Sequence, residues 1–119
     1  MPVNGEPLRS RTKRFALRVM RLVDELPTKP SVRAIGHQLI RSGTSPGANY
    51  RSACRSRSVA EFCSKLGIVE EELDESIYWM ELLIEGGHIK PQLLEPLIEE
   101  ANELLSMTVA SLKTARKKK

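Results

Sequence analysis

The chain has 119 residues, 40% of them hydrophobic and 29% charged, which is one domain's worth of chain and too apolar to stay disordered, and which leaves no room for a catalytic domain beside a separate cofactor domain. Aromatic residues make up 4%, so a core has to come from Leu, Ile, Val, Met and Ala. The net charge of +4 conceals opposed segments: residues 1–57 carry twelve basic and three acidic side chains, residues 58–112 carry two basic and twelve acidic ones, and a basic KTARKKK end follows, a pattern open to an anionic partner.

After Pro2, Gly5 and Pro7, the apolar positions Phe15, Val19, Leu22 and Leu26 recur at helical spacing, and Pro27 and Pro30 stop the run. A first helix is predicted over about 10–26, with Ser10 as N-cap. A second, over about 31–56, starts at Ser31 and follows Val32, Ile35, Leu39 and Ile40 into RSGTSPGANY. That segment, with two glycines and a proline, reads locally as a loop. Its stripe nevertheless continues through Gly43, Gly47, Tyr50 and Cys54, so one helix kinked near Pro46 is predicted, with small residues at 43, 47 and 48 admitting a neighbouring helix.

The third helix, about 58–86, opens on the capping-box pattern Ser58-x-x-Glu61 and carries the stripe Phe62, Leu66, Val69, Leu73, Ile77 or Ser76, Met80 and Ile84 up to Gly86 and Gly87. The fourth, about 91–115, begins at Pro91 and follows Leu94, Leu97 or Ile98, Ala101, Leu104 or Leu105, Thr108 and Leu112. Ends at 1–8 and 116–119 are expected to be flexible. Four one-sided helices with short connections predict an all-α, antiparallel, up-and-down four-helix bundle in a single domain. Ile68, Tyr78, Trp79 and Leu82 lie off the third stripe, more apolar surface than one seam needs. These four, with Tyr50, are the expected oligomer contacts.

The inventory argues against chemistry. Cys54 and Cys63 form no CxxC pair, and neither an export signal nor a membrane span is legible, so a reduced, cytoplasmic chain is expected. His37 and His88 are the histidines, far apart, with no metal-ligand pattern around them, and no metal or cofactor is expected. Cys54 and His37, seventeen residues apart on one helix, stand roughly 25 Å from each other, too far to act as a nucleophile and base. GTSPG at 43–47 lacks the lysine and preceding strand of a phosphate loop.

The segments RSGTSPGANYRSACRSRS, FCSKLGIVEEELDESIYWMELL and EEANELLSMTVASLKTAR resemble the proteins of the 23S rRNA intervening sequence family, the likeness spanning nearly the whole chain. The resemblance implies a homopentameric barrel of four-helix subunits. Relatives beside diversity-generating retroelements further imply a basic surface that contacts nucleic acid, with a reverse transcriptase as partner.

Three basic clusters are candidates for that contact. Arg11, Arg14, Arg18 and Arg21 recur at spacings of three, four and three along the first helix, a row of about 15 Å. Arg51, Arg55 and Arg57 crowd the end of the second, and Arg116 and Lys117 open the basic end. The first row has a competing use, because the acidic run Glu70, Glu71, Glu72, Asp74 and Glu75 on the third helix offers it partners within or between subunits. Tyr50, Tyr78 and Trp79 are expected to pack rather than to stack on bases. Asn49, a poor helix-interior residue, is expected to bond to a neighbouring helix. The resulting expectation is a non-enzymatic, cytoplasmic homo-oligomer associating with RNA or DNA. The alternative is a protein-interaction scaffold, or an accessory subunit of a reverse transcriptase, whose charges serve assembly.

Overall fold

The computed structural model describes residues 5–118, with side chains from residue 7 onward. It contains four helices and, among the described residues, no strand: α1 (Gly5–Asp24), α2 (Pro30–Ala53), α3 (Val59–Glu85) and α4 (Pro91–Arg116). Each helix packs on its neighbours in sequence and α4 closes back on α1, whereas the diagonal pairs α1/α3 and α2/α4 stay apart among the described residues. The result is a rod of 48 × 21 × 19 Å.

Local chemistry sets the ends. α2 and α4 begin with a proline in the first turn, Pro30 and Pro91, where the missing N–H costs nothing and the fixed φ is already helical. The predicted Ser31 cap is therefore displaced: Lys29 holds the N-cap position of α2. Ser58 does cap α3, accepting from the Glu61 backbone N–H at 3.0 Å. At the other end of α3, Gly87 takes a left-handed φ of 75°. Its N–H reaches the Ile84 carbonyl at 3.0 Å and that of His88 reaches Leu83 at 3.1 Å, the two bonds of a Schellman ending that glycine adopts without a Cβ penalty.

α1 starts five residues earlier than its stripe suggested. Leu8 is 2% exposed and extends the buried series Leu8, Thr12, Phe15 and Val19, so residues 5–8 are helix rather than a loose end. Pro7 is tolerated because the first turn's N–H groups have no helical partner anyway. Ser10 lies inside the helix, its hydroxyl donating to the Pro7 carbonyl at 3.3 Å. The other expected loose ends fall partly on residues 1–4 and 119, outside the described residues, while Arg116 belongs to α4. α1 and α2 stop two and three residues short of their predicted ends, each closing in i to i−3 bonds such as Leu26 to Val23 and Ser56 to Ala53.

α2 runs unbroken through Pro46, which is buried. Its glycines explain why packing outweighs propensity there. A Cβ at Gly43 would sit 2.8 Å from both methyls of Val19, and one at Gly36 would meet Leu26 at 3.2 Å. Gly47 lies against the Thr12 carbonyl. Gly36 thus shares the close-approach role, whereas Ala48 is exposed. On α3 the seam ends on Leu83 rather than Ile84. Where α2 meets α3, Ser76 and Ser42, both fully buried, lie 2.9 Å apart, oxygen to oxygen.

Candidate nucleic-acid interface

Arg51 lies in the last turn of α2, and Arg55 and Arg57 follow in the short connection to α3. Together with Ala48, Ser52 and Glu61 they line a hollow of about 520 Å³. Ala48, Arg51 and Arg55 also border a second hollow of about 400 Å³, whose other side is supplied by Arg9 and Lys13 of α1 over a floor that includes Ala16 and Gly47. The two hollows adjoin, with Ala48, Arg51 and Arg55 as shared walls. Among the described residues, five cations from two helices and a connection line these hollows, with Glu61 as the one carboxylate in the lining. No aromatic side chain among the described residues lines either hollow.

The α1 row divides among different tasks. Arg11 turns onto α4: its Nε and Nη2 donate to the two oxygens of Glu100 at 3.0 and 2.6 Å, and Nη2 also reaches Glu103 at 3.0 Å. These bonds, that to Glu100 foremost, raise the Arg11 pKa above its ordinary value and commit the guanidinium to the fold. The expected phosphate contact by Arg11 gives way to pairing, with α4 rather than α3 as the partner, since α1 and α3 are diagonal. Arg14 is exposed and makes no ion pair among the described residues. Arg18 and Arg21 border a separate hollow of about 690 Å³ with Leu22, Glu25, Lys90 and Leu93. Arg116 and Lys117 are exposed at the end of α4, outside all of these hollows.

The acidic run on α3 is used in part by Arg41 of α2, whose Nη2 bonds Glu75 at 2.5 Å and whose Nη1 reaches Glu72 at 3.4 Å. Burial holds the Glu72 carboxyl above its usual range, Glu75 adds to that, and Arg41 opposes both. A carboxyl raised by folding binds its proton more tightly in the native state. Its effect on stability therefore worsens as pH rises through the raised value. Glu72→Gln should raise the urea midpoint at neutral pH, Arg41 keeping its shorter bond to Glu75, and the gain should shrink as pH falls through the carboxylate range. A loss at neutral pH, or a gain that persists in acid, contradicts this account of Glu72.

Of the expected oligomer contacts, Tyr50 is 1% exposed within the single chain and is corrected to a core residue. Its place on the α2 stripe, beside Gly43 and Gly47, turns it inward. Ile68 and Tyr78 are exposed, while Trp79 and Leu82 are half-buried, and the Trp79 N–H points at Glu75 at 3.4 Å. Asn49 bonds its own helix, donating to the Ser45 carbonyl at 3.0 Å, rather than a neighbouring one. Arg9 and Lys13 were missed in the sequence. Their signal is a one-turn spacing on α1, legible once Gly47 is known to face Thr12. Among the described residues no group of three or more His, Cys, Asp or Glu is placed to hold a metal ion, and no helix is long and apolar enough to cross a membrane.

Four long helices closed in a ring, with a cationic hollow where α1 meets the end of α2, define a small all-α helical protein. The chain belongs to the family of 23S rRNA-intervening sequence proteins, which it matches over residues 8–110. Among solved structures it is similar to a protein of unknown function from the S23 ribosomal protein family of Bacteroides thetaiotaomicron: 32% identity, TM-score 0.84, 89% of this chain and 98% of that one covered. No curated protein matches it.

Proposed function

We propose that the protein is a non-enzymatic, cytoplasmic homo-oligomer that holds RNA or DNA by the phosphate backbone, through the hollow of Arg51, Arg55 and Arg57 with Arg9 and Lys13. The observation that carries this reading is that these five cations, from separate parts of the chain, line two adjoining hollows with a single carboxylate among the described lining residues. Small residues at Ala16, Gly47 and Ala48 keep their floor low, so an anion can approach close to the helices. The lack of aromatic side chains along it favours backbone contact over base stacking. Repetition around a symmetric assembly multiplies the field, a +4 subunit giving about +20 in the pentamer that the family resemblance implies.

An antiparallel, up-and-down course supports the placement of the hollow. Gly36 lies against Val23 and Leu26, Gly43 against Val19, and Gly47 against Thr12, so advancing along α2 means retreating along α1. The late half of α2 thereby comes to the early half of α1, and Arg51 to Arg9 and Lys13. An accessory role beside a reverse transcriptase rests on the family resemblance alone.

Binding of mixed-sequence duplex RNA and DNA at about 50 and about 300 mM salt tests the reading. Two phosphate contacts alone weaken binding about 25-fold over that interval. Association at low salt with at least that loss is the expected result. No association at low salt overturns the reading.

A further inference from the structure

We propose that the hollow between the end of α1 and the start of α4 docks another protein, which it takes by an acidic segment carrying leucine-like side chains. The proposal stands apart from the phosphate-binding reading and places a second partner at the opposite end of the rod. Pro27, in the lining of this hollow, precedes α2, whereas Arg51 lies in its last turn. The helix between them has 24 residues and spans about 36 Å, so both partners can be held at once.

Three stretches of chain build the site: α1 from Arg18 to Glu25, Pro27 after it, and the stretch from His88 into α4 at Leu97. They enclose about 690 Å³. The wall is formed before any partner arrives, because the left-handed Gly87 fixes the turn out of α3 and the Ile89 N–H bonds the Leu83 carbonyl at 3.2 Å.

The lining is of two kinds. Leu22 and Ile89 are half-buried and Leu97 is buried, but Leu93 is 69% exposed, the most of any large apolar side chain among the described residues. That exposure makes the hollow an open groove, which a chain segment covers and an enclosed small molecule does not. Arg18, Arg21 and Lys90 stand in the same lining with Glu25 as its one described carboxylate, and none of these four makes an ion pair among the described residues. Lys90 is also the N-cap of α4, a helix with no side-chain cap and no acidic residue in its first turn, so its amide end adds partial positive charge. An apolar patch rimmed by unspent charge marks an interaction surface.

This pairing of apolar surface with positive charge selects the chemistry of the partner. Carboxylates complement the three cations, and an apolar side chain among them covers Leu93. A phosphate backbone supplies the charge but leaves Leu22, Ile89 and Leu93 in water; the hollow of Arg51 and Arg55, over alanine and glycine, suits it better. A wholly apolar segment leaves the arginines without partners. An acidic segment with apolar anchors satisfies both.

Selection of a random dodecapeptide display library on the purified full-length chain, followed by titration of the selected peptides in labelled form, tests the site. Peptides rich in Asp and Glu with interspersed Leu, Ile or Phe should be enriched. Leu93→Ser should weaken their binding about tenfold, the worth of covering one leucine, and Arg21→Glu/Lys90→Glu should weaken it at least as much. All three positions are exposed, so helical circular dichroism should stay that of wild type. Arg51→Ala/Arg55→Ala should leave peptide affinity unchanged. Enrichment of no acidic-apolar peptide, or affinities that either groove variant leaves unchanged, overturns the proposal. So does a loss caused by Arg51→Ala/Arg55→Ala, which would put the peptides in the other hollow. A Leu93→Ser chain that sediments at lower mass than wild type would mean that a second copy covers the groove, and one that no longer binds duplex would mean that nucleic acid does; either result overturns the proposed partner.

Discussion

Replacing Gly43 by alanine should cost about 1–3 kcal/mol, the range for forcing an extra carbon into a packed seam, although alanine is the better helix former by about 1 kcal/mol. The added Cβ would stand 2.8 Å from two methyls of Val19 and 3.1 Å from its Cβ. Val19 is fully buried and β-branched, so in a helix it has essentially one rotamer and cannot swing aside. Relief requires α1 and α2 to separate, which loosens the Gly36 and Gly47 approaches as well. The same substitution at Gly67 supplies the control. A Cβ there meets nothing within 4 Å, so Gly67→Ala should gain about 0.5–1 kcal/mol from propensity and reduced freedom of the unfolded chain. Urea unfolding of both at one protein concentration measures the pair. In the double variant Val19→Ala/Gly43→Ala the loss should be smaller than the sum of the two single losses. Equal stability of Gly43→Ala and wild type would mean that the helices are not in contact at this point.

The second large effect belongs to Arg11. Arg11→Ala should cost about 1.5–3 kcal/mol, because it removes charge-assisted bonds to a carboxylate that cannot readily turn to water. Glu100 has a side-chain exposure of 17%, against 66% for Glu103, so the cost falls on Glu100 and the Glu103 bond adds little. The guanidinium also lies 3.4 Å from the Met107 sulfur, and truncation to alanine removes the aliphatic stem along with the charge. Arg14, three residues on and exposed, should lose less than about 0.5 kcal/mol when cut to alanine under conditions where the chain is single. A double-mutant cycle of Arg11→Ala with Glu100→Ala separates the pair's coupling from the lost stem. A coupling near zero would place the two side chains apart in solution.

The helices were legible because burial imposes a period: Phe62, Leu66, Val69, Leu73 and Met80 could be read as one face before any neighbour was known, and all are buried. Ends were less legible. Proline at a first turn competes with serine as the start signal, and in α2 proline held the position. Leu8 could not be placed because Pro7 looks like a breaker until its first-turn position is known. Tyr50 carried two readings at once, stripe member and interface residue, and its burial beside α2's small residues settled on the first.

Charges were the least legible. A spacing of three, four and three places Arg11 to Arg21 along one side of α1, but it cannot say which helix lies beside that side. Two carboxylate-rich helices competed for the row, and adjacency, a property of the fold, gave Arg11 to α4. The hollow was hidden for the same reason. Arg51, Arg55 and Arg57 were recognisable as a cluster, while Arg9 and Lys13 join them through a contact between residues some forty positions apart. Electrostatic sites assembled from two helices in this way require knowledge of which ends meet.

The measurement closest to the central claim is the salt dependence of duplex binding by wild type and by Arg51→Ala/Arg55→Ala, at equal assembly mass. If the hollow carries the phosphates, the slope of log affinity against log salt should fall in the double variant by about 2 for each subunit that contacts the duplex, because each such subunit then neutralises two fewer phosphates. A slope that does not change would show that any nucleic acid is held elsewhere on the protein.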